Sequence, residues 1–361
     1  MDDAHYMRKA LAIAERGRGT TSPNPLVGAL VVDEEGVVVG RGAHRVAGGP
    51  HAEVIALEEA NGRARGATLY CTLEPCAHTG RTGPCAPLVA NAGIRRAVIA
   101  LEDPHPLVQG RGLAHLRERG IGIAIGIERE AAARQNAAFL TNVRFARPYV
   151  IVKAALSLDG RVAQAPGMRT PLTGPAANRR AQRQRAEVDA IGVGSGTVVT
   201  DDPLLTPRGV FRSRPLTRVI FDRRLRTQPS ARVLSTLDAG PVIIVTSEHA
   251  CTSAPEKSAA LGAAGARLLA LPTDDLAVAC RALLGEGVTT LVLEGGAALH
   301  RAALDADIVD AVHLYITSRR LGESGLAWME HRRFAWESLE DTSAVWLGSD
   351  IVVEGYVHRN H

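Results

Sequence analysis

Aromatic residues make up only 4% of this 361-residue chain, and no Lys/Arg-rich tail or basic run interleaved with aromatics is present. That scarcity argues against a nucleic-acid partner, which needs stacking platforms and clustered cations. The formal charge of +4, with 22% charged residues, suits a phosphorylated small substrate instead. No stretch approaches the ~18 apolar residues that span a bilayer, so no membrane partner is expected. The opening "MDDAHYMRKALAIAERGRG" is acidic at its start and lacks the apolar centre of a signal peptide. Cysteine is sparse as well. Five cysteines, an odd count without a leader, fit a reducing cytoplasm better than a disulfide scaffold.

What the chain does have is length and regular patterning. At 361 residues with 46% hydrophobic content, two domains are expected. Met7, Ala10, Leu11 and Ala14 mark one face of an N-terminal helix that ends at Gly17. "LVGALVV" and "GVVVGRG" around "DEEG" predict a hairpin. Helix and strand patterns then alternate through "HAEVIALEEA", "ATLYCTL", "CAPLVANAG", "RAVIAL", "GRGLAHLRERG" and "IGIAIGI", as in an α/β layered domain. One long helix is expected from Glu128 to about Arg144. The Arg-Pro step after it places the domain boundary near Arg147. Strand-like runs from "YVIVKAALS" to "DAVHLYI", with helices between several of them, predict a second α/β domain.

Two short stretches concentrate the chemistry. "PHAEV" offers His51 and Glu53, and "LEPCAHTGRTGPC" offers Cys76 and Cys85. A catalytic zinc keeps three nitrogen or sulfur ligands and one position for water, and His51, Cys76 and Cys85 supply such a set. His51 begins a helix and Cys76 follows a strand, so backbone donors and the helix dipole favour a thiolate. Glu53, two residues after His51, is placed to face the water without ligating the metal and to carry a proton to a leaving amine. H-x-E with P-C and a second Cys is the zinc nucleobase-deaminase pattern. The competing readings are a capping role for His51 and a structural zinc site completed by His78. Glu53 opposes the second, because a structural site has no use for a carboxyl beside its ligand His. Cys71, inside an apolar strand, is read as core packing, and Cys251 and Cys280, which lack metal-ligand spacing, as structural. His78 and His105 are candidates for supporting or substrate contacts.

Signals in the second half are weaker. "TLVLEGGAALHRAAL" runs a strand into a glycine pair and a helix, a junction that suits phosphate. It is not G-x-G-x-x-G, and such a turn is often only structural. In "VGSGTVVTDDPLLTPR", Thr197 and Asp201 are candidates for cofactor or substrate contact, and Arg208 for a phosphate. "NRRAQRQRAEV" carries either a solvated basic face or, through Arg185, a second phosphate ligand.

Eight residues separate Cys76 from Cys85, where pyrimidine nucleoside and tRNA deaminases usually have two. That longer loop, with "TSPNPLVG" upstream and "EDPHPLVQGRG" downstream, resembles the riboflavin-biosynthesis deaminases. The second half, with "KAALSLDGRVA", resembles the reductase to which that deaminase is fused. The resemblance implies an α/β chain: a cytidine-deaminase-like α/β/α domain over residues 1–147 and a dihydrofolate-reductase-like α/β domain over 148–361. It implies zinc and NADPH as cofactors and a pyrimidine carrying a ribosylamino 5′-phosphate as substrate. Hydrolytic deamination would come first, then reduction of the ribosyl group to a ribityl chain.

Position by position, the resemblance carries Asn24 to a pyrimidine-holding site, with an Asx turn as the local alternative. It carries Lys153 and Asp201 to the reduction centre. Ala155, Thr197, Asp201 and the run Gly296, Ala297, Ala298, Leu299, His300, Arg301 and Ala302 are carried to the cofactor. Arg185, Leu205, Arg208 and Glu294 are carried to the substrate. Similar reductases read Ser-x-Trp-Ile-Thr where this chain reads "RTPLT". Arg169 therefore stands at a substrate-side position and Pro171 at a cofactor-side aromatic, and proline brings neither a ring to stack nor an N–H donor. A cation near the ribose 2′-phosphate is expected at Arg223 or Arg224, with a solvated turn as the alternative. A homo-oligomer, dimer or tetramer, is also implied. Other readings are a nucleic-acid or nucleoside deaminase with an accessory nucleotide-binding domain, a zinc-stabilised nucleotide-binding scaffold, and a deaminase with a degenerate reductase half.

Overall fold

Asp2 begins the first helix, α1 (Asp3–Ala14), by accepting the His5 N–H on its side chain. The structure is a computed structural model that describes residues 2–77, 83–330 and 334–357. It divides into two units between Phe145 and Ala146.

In the first unit, β1 (Gly28–Val32) and β2 (Val38–Ala43) form the expected hairpin. After it come α2 (Ala52–Ala60), β3 (Thr68–Cys71), α3 (Cys85–Asn91), β4 (Arg96–Ile99), α4 (Arg111–Glu118), β5 (Gly122–Ile125), α5 (Arg129–Gln135) and α6 (Ala137–Phe145). The sheet order is β2-β1-β3-β4-β5, antiparallel through β3 and parallel beyond it. Alternation along β1 serves both faces. Leu30 and Val32 pack with Met7, Ala10 and Leu11 of α1 and with Leu140, while Ala29 and Val31 pack with Ala52, Ala56, Val89 and Leu116. The result is the expected α/β/α sandwich.

One expectation needs correction. The helix expected from Glu128 to Arg144 is two helices, parted at Asn136. The buried Asn136 amide bonds both backbone groups of Leu26: it accepts the N–H at 2.8 Å and donates to the carbonyl at 2.9 Å. An amide that satisfies a neighbouring loop in this way competes with regular helix, and here it ties the Asn24–Leu26 segment to the sandwich.

The second unit comprises β6 (Tyr149–Leu156), β7 (Arg161–Ala163), α7 (Pro175–Glu187), β8 (Ala190–Gly194), α8 (Ser195–Asp201), β9 (Thr217–Phe221), β10 (Val242–Ser247), α9 (Glu248–Ser253), α10 (Pro255–Ala263), β11 (Ala266–Leu271), α11 (Leu276–Gly285), β12 (Thr290–Gly295), α12 (Ala297–Asp305), β13 (Ala311–Thr317), β14 (Leu326–Ala327), β15 (Glu340–Leu347) and β16 (Asp350–Tyr356). Nine strands form one sheet in the order β11-β10-β9-β8-β12-β6-β13-β16-β15, and β7 pairs with β14 separately. Neighbours from β11 to β13 are parallel, and the terminal hairpin is antiparallel. Strands buried on both faces explain the unbroken apolar runs of β8 and β10. Among the described residues no helix is long and apolar enough to cross a membrane.

Candidate metal centre and cofactor clefts

Two glycines bring α2 onto the sheet. A Cβ on Gly40 would stand 2.0 Å from the Ala56 carbonyl oxygen, and one on Gly42 1.8 Å from that of Ala52. The helix therefore lies directly against β2, which fixes where its N-cap, His51, and its first-turn Glu53 project. Cys76 follows β3, and Cys85 opens α3.

The ligand atoms of His51, Cys76 and Cys85 lie within 4.8 Å of one another. His51 Nδ1 is 3.2 Å from Cys85 Sγ and 3.6 Å from Cys76 Sγ. Bonds of ~2.3 Å to sulfur and ~2.05 Å to nitrogen at a tetrahedral angle give an edge of roughly 3.6 Å, so these residues fit zinc. The Cys85 N–H donates to Cys76 Sγ at 3.4 Å. Hydrogen bonds from Cys85 and His51 overcome burial and bring the Cys76 thiol down to about 4, the thiolate form that zinc requires. His78 lies outside the described residues.

Glu53 is 3% exposed. Burial pushes its carboxyl up to about 7, against the opposing charge of His51. It lines a cleft of about 300 Å³ with Asn24, His44, Cys76, Asp103 and His105. Sequence reasoning singled out Glu53, Asn24 and His105 but missed His44 and Asp103. His44 Nδ1 meets the Pro50 carbonyl at 3.0 Å, so that nitrogen carries the proton and Nε2 accepts from Asn24 Nδ2 at 3.0 Å. Burial lowers the His44 imidazole, in the same direction as that neutral tautomer. Asn24 is thus turned with its amide nitrogen toward His44. Burial raises the Asp103 carboxyl to about 6, and it accepts the His105 N–H at 2.8 Å.

In the second unit, a cleft of about 430 Å³ is lined by Lys153, Ala155, Thr197, Asp201, Glu294, the segment 295–301 and their neighbours. Two helix N-termini converge there: α8 starts after Gly194 and α12 after Gly296, and a Cβ on Gly194 would stand 3.8 Å from Gly296 N. Gly295 adopts φ +147°, where a side chain is strained. Close backbone N–H groups at paired helix starts suit a pyrophosphate.

Asp201 also lines an adjoining cleft of about 570 Å³ with Arg169, Pro171 and Arg208. Pro171 lines this cleft beside Arg169 and Arg208, and the two clefts share Val162, Ala163, Met168 and Asp201. Burial raises the Asp201 carboxyl, opposed by Arg169.

Lys153 stands in a row of polar groups across adjacent strands. The register pairs Glu354 with His313 and His313 with Lys153, and Glu294 follows the Leu293–Val152 pair on the other side. Burial lowers the Lys153 ammonium below the usual lysine range, and its Nζ is 5.1 Å from the Tyr315 ring centroid. Arg185 grips Glu294 and donates to the Thr206 carbonyl at 3.0 Å. Leu205 is buried with φ +56°. His300 lines the 430 Å³ cleft, but its polar atoms face inward. Nε2 meets the Leu293 carbonyl and Nδ1 accepts the Trp328 indole N–H, each at 3.0 Å, and burial holds it down to about 4. Arg223 pairs with Asp274 at the surface at 3.0 Å. Neither Arg223, Arg224 nor Ala302 is among the residues lining the two clefts.

Residues 1–101 match the cytidine and deoxycytidylate deaminase zinc-binding region, and residues 148–353 match the RibD C-terminal domain. The chain is 39% identical over 321 residues to the riboflavin biosynthesis protein RibD of Aquifex aeolicus, covering 89% of this chain and 88% of that one. It is 41% identical over 322 residues to that of Bacillus amyloliquefaciens, covering 89% and 85%. The solved Acinetobacter baumannii RibD superposes with a TM-score of 0.87 at 35% identity over 98% of each chain. A diaminohydroxyphosphoribosylaminopyrimidine deaminase/5-amino-6-(5-phosphoribosylamino)uracil reductase from Thermotoga maritima superposes with a TM-score of 0.84 at 32% identity, also over 98% of each.

Proposed function

The chain belongs to the RibD family of riboflavin-biosynthesis proteins, which join a zinc deaminase to a reductase, and from that premise we propose how each unit carries its step. The substrate we assign is a diaminopyrimidine bearing a ribosylamino 5′-phosphate, the class named for the T. maritima relative. The observation that carries the reading is a buried Glu53 lining one cleft with His51 and Cys76, two members of a three-ligand set that fits zinc.

His51, Cys76 and Cys85 would hold the zinc, which when bound would supply Lewis-acid activation of the attacking water. Glu53, its carboxyl raised to about 7 by burial, takes one proton from the attacking water and gives it to the ring nitrogen, then takes the second from the hydroxyl so added and gives it to the departing ammonia. Asn24, oriented by His44, holds the pyrimidine edge, and Asp103 offers a second carboxyl to its polar groups.

NADPH, when bound, supplies a hydride to the ribosyl carbon. The backbone at Gly296 and the start of α12 would hold its pyrophosphate, with Thr197 and Asp201 lining the same cleft. Lys153 polarises the reacting sugar. Arg169 and Arg208 in the adjoining cleft receive the substrate 5′-phosphate, and the Arg185–Glu294 pair walls the site beside Leu205. Arg223 or Arg224 reads the 2′-phosphate. An exposed pair such as Arg223–Asp274 is worth about 0–1 kcal/mol and yields readily.

Five free cysteines suit a reducing cytoplasm as the place of action. A homo-oligomer belongs to the same proposal. The outer strand β15 offers a second copy an edge on which Val345 and Trp346 are exposed.

The protein with zinc and NADPH, given the diaminopyrimidine, should release ammonia first and oxidise NADPH only afterwards. No ammonia would sink the first assignment. No NADPH oxidation, even on the deaminated pyrimidine, would mark the second half as degenerate.

A further inference from the structure

The E-P-C stretch gives Cys76 to the metal set, but its Glu74 has no part in the steps above. Glu74 is 3% exposed, and its carboxylate accepts four backbone N–H groups. Oε2 takes Asp103 at 3.3 Å and Gly110 at 3.0 Å, and Oε1 takes Gly112 at 3.0 Å and Leu113 at 3.3 Å. The Glu74 N–H in turn donates to the Leu101 carbonyl at 2.9 Å.

A plain helix cap would account for half of this. Gly112 and Leu113 are the second and third residues of α4, the amides that a capping side chain serves. Asp103 and Gly110 lie outside the helix. They bracket the loop that carries Asp103 and His105 into the pyrimidine cleft. Gly112 makes the approach close, since a Cβ there would stand 1.8 Å from the Pro75 carbonyl oxygen. An ionised carboxylate has about four acceptor sites, and amides engage all of them here, so the loop is held at both ends by one side chain.

We propose that Glu74 is a positioning residue of the deaminase, locking the Asp103 loop to the segment that carries Cys76. It thereby sets the distance between the carboxyl that meets the pyrimidine and the metal centre. The inference rests on the deaminase reading of this cleft.

The test uses the full, zinc-loaded chain with Glu74→Gln, Asp103→Asn and the double variant. Glutamine turns an N–H₂ group toward amide donors and so breaks part of the clamp. Glu74→Gln should raise KM for the diaminopyrimidine about tenfold while kcat moves less than about threefold. Zinc content and the reductase rate on the deaminated pyrimidine should hold. The KM effects of the two substitutions should be non-additive, because one residue acts through the other. An unchanged KM, additive effects, or lost kcat with KM intact would overturn the proposal. Should Glu74→Gln misfold, hydrogen exchange in the unsubstituted protein decides. The Asp103 and Gly110 amides should be strongly protected, and free exchange there would overturn it. A wild-type chain that releases no ammonia would instead sink the deaminase reading, leaving the amide protection as a separate result.

Discussion

Arg185 holds Glu294 through two parallel hydrogen bonds, Nε to Oε1 at 2.9 Å and Nη2 to Oε2 at 2.5 Å, with side chains only 14% and 9% exposed. Removing one member of such a pair leaves a buried charge without its partner. Arg185→Ala should therefore destabilise the second unit by about 3–5 kcal/mol. Urea unfolding followed by NADPH oxidation should show the loss, with ammonia release retained.

The same pair predicts a pH dependence. Burial alone would raise the Glu294 carboxyl, but the charge and hydrogen bonds of Arg185 hold it down to about 2, from an ordinary 4.5. A carboxyl depressed on folding stabilises the fold above its unfolded value, and that stability is lost as pH falls toward the folded value. The contribution, roughly 3 kcal/mol, should thus disappear between about pH 4.5 and 2. Unfolding measured across that range should show the slope, and Glu294→Gln should flatten it.

Glu53→Gln keeps the shape of the side chain and removes its proton-carrying capacity. Ammonia release should fall by roughly 10²–10⁴-fold, the usual worth of a positioned acid–base group. Bound zinc and the reductase rate on the deaminated pyrimidine should not change.

Asn136→Ala strips both backbone groups of Leu26 of their partner. Two buried groups left unsatisfied cost about 1–3 kcal/mol each. A lower melting temperature should accompany a higher KM for the pyrimidine, since Asn24 is two residues away.

That His51, Cys76 and Cys85 come together, with Glu53 in the adjoining cleft, was legible in the sequence because the motifs have a fixed spacing. Their partners were not. Glu74 stands in the same motif as Cys76, but its meaning comes from amides at 103 to 113 that only the folded loop brings to it. His44 and Asp103 look like ordinary polar residues until burial and the cleft give them roles. The expected helix through Asn136 was broken by an amide recruited to Leu26, a contact 110 residues distant that only the fold creates. In the second unit the parallel strands were visible as apolar runs. The terminal hairpin was not, because β15 is almost wholly exposed and shows no buried alternation. Helix α8 (SGTVVTD) is rich in β-branched residues and gives no helical signal.

X-ray absorption at the zinc edge of the purified protein tests the central claim most directly. Two sulfurs, one imidazole nitrogen and one light solvent atom around the metal, unchanged by Glu53→Gln, are predicted. A fourth protein ligand, or a sulfur count other than two, would contradict the account of the first unit.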